Sequence, residues 1–273
     1  MAMLRAQQWH GRQLREMHVL ITGASSGLGA AMARHLAKGR GTITLVGRND
    51  QRLNEVAQDC RGIGAIPRIL NCDVADASDC DSKIRRADED QPIDILIANA
   101  GIGGVDVLAP PSGEPVAFAR KIIDVNLMGV VHTIAPVLET FMQRQRGHIA
   151  IVSSMMAFQG LADAPIYAAS KAAVRTYGQG LRRLLAPQGV SVTVACPGFV
   201  ATPMSASLPF TGPFMLQPDD AAQRIINAMH RRRAEIAFPW QLALLAKSAD
   251  LLPTTVVDRL LSAGRSFATS PPR

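Results

Sequence analysis

Thr22-Gly23-Ala24-Ser25-Ser26-Gly27-Leu28-Gly29 is the stretch that decides how this chain folds. It follows an apolar run, residues 17–22, and opens a segment whose Leu28, Met32 and Leu36 recur at helical spacing. An apolar run that ends in a glycine turn predicts a buried strand feeding directly into a helix. Glycine there permits positive φ and a close backbone approach. The helix N-terminus beyond it offers unpaired N–H groups and a partial positive charge, which together suit a pyrophosphate. An ordinary strand-to-helix turn uses the same residue types, so this turn takes its meaning from its surroundings.

The alternation continues to about residue 238. Further strands are predicted over 42–47, 65–71, 93–98, 147–153, 190–195 and 235–238. Helices are predicted over 28–38, 50–61, 76–90, 113–143, 165–186 and 218–232, the fifth with Pro165 near its start, where proline is tolerated. This order predicts an α/β fold: a Rossmann-like, doubly wound sheet of seven parallel strands with helices on both faces. No segment rich in Pro, Gly and Ser divides it. The expected organisation is a polar extension over 1–16, one dinucleotide-binding and catalytic domain over 17–238, and a tail over 239–273.

Composition agrees. Hydrophobic residues make up 48% of 273, enough for a sizeable core, while aromatics are only 4%. Ala, Val, Ile and Leu dominate, which suits helices packed on a parallel sheet. The net charge of +7 is spread along the chain, with clusters at Arg12 and Arg15, Arg182 and Arg183, and Arg231 to Arg233. None alternates with aromatic residues as a single-strand stacking platform requires, so no nucleic-acid partner is expected. Cys60, Cys72, Cys80 and Cys196 show no C-x-x-C spacing and the histidines are scattered, so no metal site is expected. Reduced thiols in a cytoplasmic protein are the expectation. No uninterrupted apolar run reaches the length of a membrane span, and the N-terminus lacks the apolar core of a signal peptide.

Tyr167-Ala168-Ala169-Ser170-Lys171 places a phenol and an ammonium four residues apart, on one face of the predicted helix. A nearby positive charge favours the phenolate, bringing a proton donor toward working pH. Tyr-x-x-x-Lys alone says little. Its context is more specific: Ser154 ends the fifth strand 13 residues before Tyr167, and Asn126 lies 41 residues before it. With the Gly-x-x-x-Gly-x-Gly spacing of the turn and Asn99-Ala100-Gly101 after the fourth strand, the sequence over about 17–238 resembles the short-chain dehydrogenase/reductase family. Ala98 stands where the family commonly has a first Asn.

The resemblance implies a tetrad of Asn126, Ser154, Tyr167 and Lys171. Tyr167 would exchange a proton with a carbonyl or alcohol, and Ser154 would polarise the carbonyl oxygen. Lys171 would lower the tyrosine pKa and bind the nicotinamide ribose, and Asn126 would hold a water linking Lys171 to solvent. Ser153 competes with Ser154. The implied dinucleotide contacts are Gly23, Ser25, Ser26, Gly27, Leu28 and Gly29 in the turn, Arg48 and Asn49 after the second strand, and Asp73 and Val74 after the third. Asn99, Ala100 and Gly101 follow, then Tyr167 and Lys171, then Pro197, Gly198, Val200 and Thr202 beyond the sixth strand. Gly47 occupies the position where an acidic residue would select NAD, and Arg48 follows it. A planar, permanently charged guanidinium suits a 2′-phosphate, so NADP(H) is favoured over NAD(H).

Met155, Met156, Phe158, Met204, Leu208, Phe210, Phe214, Met215 and Leu216 predict an apolar pocket for a lipophilic carbonyl or alcohol, or simple loop packing. The tail carries Trp240, Leu242, Leu244, Leu245, Leu251, Leu252, Leu260 and Leu261, punctuated by Lys247, Arg259 and Arg265. It admits three roles: a lid, a homodimer or homotetramer contact, or an interfacial segment on a membrane. An NADP(H)-preferring oxidoreductase is the leading expectation. An NAD-dependent alcohol dehydrogenase of the same fold, or a cofactor-binding regulatory protein without turnover, are the alternatives.

Overall fold

The computed structural model describes residues 8–9, 12–103, 114–160, 162–206, 214–249 and 251–259. Leu208 and Phe210 of the expected substrate region, and Leu260, Leu261 and Arg265 of the tail, lie outside the described residues. Seven strands form one sheet: β1 (His18–Thr22), β2 (Thr42–Gly47), β3 (Ile66–Asn71), β4 (Ile95–Ala98), β5 (Gly147–Val152), β6 (Val190–Pro197) and β7 (Glu235–Phe238). Their order is β3-β2-β1-β4-β5-β6-β7, and every neighbouring pair is parallel. The helices are α1 (Gly27–Ala37), α2 (Asp50–Ile63), α3 (Ala77–Asp90), α4 (Val116–Ile123), α5 (Gly129–Gln143), α6 (Pro165–Leu185), α7 (Pro218–His230) and α8 (Trp240–Ala249).

The two-residue period of the strands sorts their side chains onto two faces. Val19 and Ile21 of β1 pack with Ile43, Leu45, Ile95 and Ile97 beneath α1, α2 and α7. Leu20, between them, points the other way and joins Leu96, Ile149 and Ile151 against α3, α5 and α6. Because both faces are covered, the central strands read as continuous apolar runs rather than alternating ones. β3, at the edge, is largely exposed. The strand order reverses between β1 and β4, so their C-terminal ends diverge and leave a crevice.

Three features differ from the expectations. The polar extension contains a short antiparallel pairing of Gln8–Trp9 with Arg12–Gln13. Leu14 then seats beside Gly39 and Gly41, where an added Cβ would stand 2.5 Å from Leu14 Cβ and 2.3 Å from Leu14 O respectively. The predicted single helix over 113–143 is interrupted by a π turn, Asp124–Met128, between α4 and α5. Together these form a helix of 28 residues that is long and apolar enough to cross a membrane. Val130, Ile134, Val137 and Phe141 bury one face of it in the core.

Candidate functional site

The glycine turn lies at the crevice between β1 and β4. Gly23 and Gly27 both have positive φ, +66° and +53°. Asn99, after β4, donates from Nδ2 to the Thr22 and Gly23 carbonyls at 2.9 and 3.3 Å, while Thr22 Oγ1 accepts from Asn99 N and Ala100 N. These bonds tie the ends of the two diverging strands together. A Cβ on Gly29 would stand 2.2 Å from Gly23 O, so glycine is required for α1 to start this close to the strand. Ser26 is the N-cap of α1, yet its side chain caps no backbone N–H, leaving the helix start open to the crevice. These are the features a pyrophosphate needs.

The crevice is one end of a cavity of about 780 Å³. Arg48, Asp73 and Val74 line that end. Arg48 Nη1 lies 3.3 Å from Asp73 Oδ2, with both groups substantially exposed. Asp73 Oδ1 also accepts from Ala75 N at 3.0 Å. Exposed pairs of this kind are worth about 1 kcal/mol or less, so the guanidinium is free to exchange partners. Asn49 departs from the expected contacts: it does not line the cavity, because its Oδ1 is used to cap α2, accepting from Arg52 N at 2.9 Å.

At the other end stand Ser154, Tyr167 and Lys171. Ser154 follows β5 and caps a 3-10 turn, its Oγ accepting from Met156 N at 3.2 Å. Tyr167 and Lys171 sit near the start of α6. Glu114 receives the Ile166 N–H at 3.1 Å and so fixes the N-terminus of that helix. Burial pushes the Tyr167 phenol above its ordinary pKa, and a hydrogen bond with Ser154 pulls it partly back. The ammonium of Lys171 is not what sets the direction of that shift: Nζ is turned to Val152 O at 3.2 Å and lies 5.9 Å from the phenol ring centroid. Lys171 is only 5% exposed, and burial lowers its pKa from 10.5 to about 8. Of the two serines, Ser153 is committed elsewhere. Its hydroxyl is buried and donates to Lys171 O at 2.7 Å, fastening α6 to the sheet.

Asn126 is fully buried behind this wall, inside the π turn. Its Oδ1 accepts from Ile102 N at 2.8 Å, and its Nδ2 donates to Ile102 O and to Ser170 Oγ. Ser170 in turn donates to Tyr167 O at 2.7 Å. The Asn126 side chain therefore braces the loop after β4 against α6, and does not itself line the cavity. A Cβ on Gly101 would meet Asn126 Oδ1 at 3.1 Å and Lys171 Nζ at 3.3 Å, so glycine is needed between them. Pro197 at the end of β6, with Gly198, Val200 and Thr202 beyond it, completes the wall. Ser205 Oγ holds that segment by accepting from Thr202 N and donating to Val200 O. Apart from Asn49 and Asn126, every residue expected to hold the dinucleotide or to react lines this cavity.

The tail supplies a wall that motifs did not reveal. Leu242, Leu245, Ala246 and Ala249 of α8, with Leu252 and Val257, line the cavity together with Met155, Met156 and Met204. The first four follow an i, i+3, i+4, i+7 pattern, the spacing that could have placed them. α8 is anchored by Lys247 Nζ to Glu235 Oε1 at 2.8 Å, and by Gln159 Nε2 to Ala246 O at 3.1 Å. Glu235 also takes Arg175 Nε at 2.7 Å, and these cations hold its carboxyl below the usual range against the opposing effect of burial. Phe158 lies 4.5 Å from the Arg175 guanidinium carbon and 5.0 Å from Lys247 Nζ, measured from the ring centroid. Of the remaining expected substrate residues, Phe214 is largely exposed, and Leu216 packs against the core while pairing with Val200.

Comparison with known proteins agrees with this arrangement. A family model for short chain dehydrogenases matches residues 17–211. An uncharacterized oxidoreductase of Myxococcus xanthus is 37% identical over 240 residues, covering 88% of this chain and 94% of that protein. A short-chain dehydrogenase from Sphingobium yanoikuyae in complex with NADPH has a TM-score of 0.76 at 27% identity, covering 94% of this chain and 97% of that one. A 3-oxoacyl-acyl-carrier-protein reductase with bound NAD from Brucella melitensis has a TM-score of 0.73 at 24% identity, covering 86% and 93%, a likeness of fold alone. The chain therefore belongs to the short-chain dehydrogenase family and is an NAD(P)-dependent oxidoreductase.

Proposed function

We propose that the protein is an NADP(H)-preferring oxidoreductase that interconverts an apolar carbonyl compound and its secondary alcohol. One observation carries this reading: Ser154, Tyr167 and Lys171 share a single cavity with the glycine turn and Arg48, and the walls between them are mostly apolar. The dinucleotide supplies or accepts the hydride when bound. In the reductive direction Tyr167 gives its phenolic proton to the carbonyl oxygen as that oxygen gains charge. Ser154 Oγ accepts from Met156 N while its hydroxyl bonds to Tyr167, so its proton lies beside the phenol and turns to the same oxygen when the carbonyl binds. Lys171 stands beside Tyr167 with a pKa near 8, matched to passing a proton back to the phenolate at neutral pH. Asn126 is assigned a positioning role through Ile102 and Ser170 rather than contact with the reacting atoms.

Arg48 is assigned to the 2′-phosphate, with release of Asp73 as the accompanying change. Gly47 leaves no carboxylate at the end of β2 to repel that phosphate. Residues 17–238 are read as the catalytic domain and 239–273 as a lid, because α8 lines the cavity and is anchored to β7 by Lys247. The methionines that line the same cavity suit a flexible, lipophilic substrate.

The test is a panel of apolar and charged ketones assayed with NADPH and with NADH. Faster turnover of apolar ketones with NADPH is the expected result. Preference for NADH would favour an NAD-dependent alcohol dehydrogenase. Dinucleotide binding without turnover of any panel member would favour a regulatory protein that keeps the fold.

A further inference from the structure

Cys72 and Cys80 have no part in hydride transfer, yet they stand at the cavity wall as a pair. Cys72 follows the last residue of β3, and Cys80 lies in the first turn of α3. Asp76 begins that helix at once, its Oδ1 accepting from Ser78 N and Asp79 N at 3.0 Å. The chain therefore doubles back within a few residues, and the two sulfurs face each other at 3.3 Å, where either can be the donor. Both are buried, and of the two only Cys72 lines the cavity, beside Asp73 and Val74. Cys60 and Cys196 have no comparable thiol partner within the described residues.

We propose that Cys72 and Cys80 form a dithiol that a peroxide converts to a disulfide, and that this bond weakens dinucleotide binding at the adenosine end of the cleft. The coupling rests on the dinucleotide reading of the cavity given above. In the first step one sulfur attacks a peroxide oxygen, the O–O bond breaks, and a sulfenic acid and water result. The other sulfur then attacks the sulfenic sulfur, the S–S bond forms, and a second water leaves. Two electrons pass from the thiols to the peroxide, and both thiol protons depart in the waters. Cys72 is the one of the two that borders the cavity, so a small peroxide approaches the pair from that side. Its hydrogen bond with Cys80 and burial push the Cys72 thiol up, so its proton leaves as the S–O bond forms and passes to the departing oxygen.

A disulfide has S–S near ~2.05 Å, so the sulfurs must close by about 1.3 Å. The far side of the loop cannot follow easily. Val74 O accepts from His132 Nδ1 at 2.9 Å, and Val74 packs so closely on Gly129 that a Cβ there would stand 2.8 Å from Val74 Cγ2. The displacement falls on Cys72 and Asp73, the cavity side, where Asp73 meets Arg48.

Both cysteines lie in the tryptic peptide 69–83, so the bond is scored directly. Reduced protein is treated with hydrogen peroxide, alkylated and digested, and NADPH affinity is measured before and after treatment. The expected result is a 69–83 peptide that resists alkylation until dithiothreitol is added. NADPH Kd should rise roughly fivefold, equivalent to about 1 kcal/mol, and recover on reduction. Cys80→Ser should bind NADPH like the reduced wild type and lose the peroxide response. Two freely alkylated thiols in that peptide after treatment would overturn the proposal, as would a formed disulfide with unchanged Kd. Reduced protein that binds neither dinucleotide would instead defeat the reading of the cleft, and the coupling with it, while the peptide assay still reports on the thiols.

Discussion

Replacing Lys171 by Met should make the ligand-free protein more stable while it loses turnover. The ammonium is 5% exposed and, among the described residues, has no carboxylate partner and donates only to Val152 O. Its pKa falls from 10.5 to about 8 through burial. At 1.36 kcal/mol per pH unit, carrying that charge in the fold costs about 3 kcal/mol at pH 7. Met removes the cost but leaves the Val152 carbonyl without its donor, a loss of about 1 kcal/mol. The net gain is about 2 kcal/mol, read as a higher urea midpoint with unchanged slope, or a Tm raised by roughly 5 °C. The sign with pH follows from proton binding. Between about pH 8 and 10.5 the folded wild type has released this proton while the unfolded chain still holds it, so wild-type stability rises with pH. By pH 9.5 the cost has fallen to about 1.4 kcal/mol, and the advantage of Lys171→Met nearly vanishes. A variant no more stable than wild type at pH 7, or an advantage that grows with pH, would refute the reasoning.

Arg48→Ala should raise Kd for NADPH roughly tenfold or more, the loss of a charge-assisted hydrogen bond, and leave NADH nearly unchanged in parallel titrations. Gly29→Ala brings a Cβ to within 2.2 Å of Gly23 O and 2.7 Å of Asn99 Nδ2. It should cost about 1–3 kcal/mol in urea unfolding and weaken both dinucleotides alike, since the strain is in the shared turn. Lys247→Met breaks the ion pair with Glu235 while sparing Arg175. KM for an apolar substrate should rise up to about fivefold at low salt with kcat little changed, and the difference should shrink in high salt.

The sheet was legible in the sequence because fully covered strands leave uninterrupted apolar runs, and glycines or caps mark where helices begin. Asp76 and Asn49 both stand one residue before helices and accept their first N–H groups. The sequence could place Tyr167, Lys171 and Ser154 at one cavity because the first two share a helical face and the third follows a central strand. The π turn at Asp124–Met128 was not, because one extra residue per turn leaves the apolar pattern of the flanking helices intact. Asn49 does not line the cavity for a local reason: its side chain is used to cap α2. Asn126 was found, but the sequence could not reveal that Ile102 and Ser170 occupy its amide. The Cys72–Cys80 contact left no motif either, since spacing alone does not bring a strand end against the helix that follows.

Tyr167→Phe tests the central claim most directly, because it removes one oxygen from the cavity and little else. With saturating NADPH and an apolar ketone that the wild type reduces, kcat should fall by about 100-fold or more, as loss of a general acid typically requires. NADPH Kd, measured on the same preparation, should stay within about twofold, since other groups hold the dinucleotide. A variant that keeps more than about a tenth of wild-type kcat would contradict the assignment of Tyr167 as the proton donor.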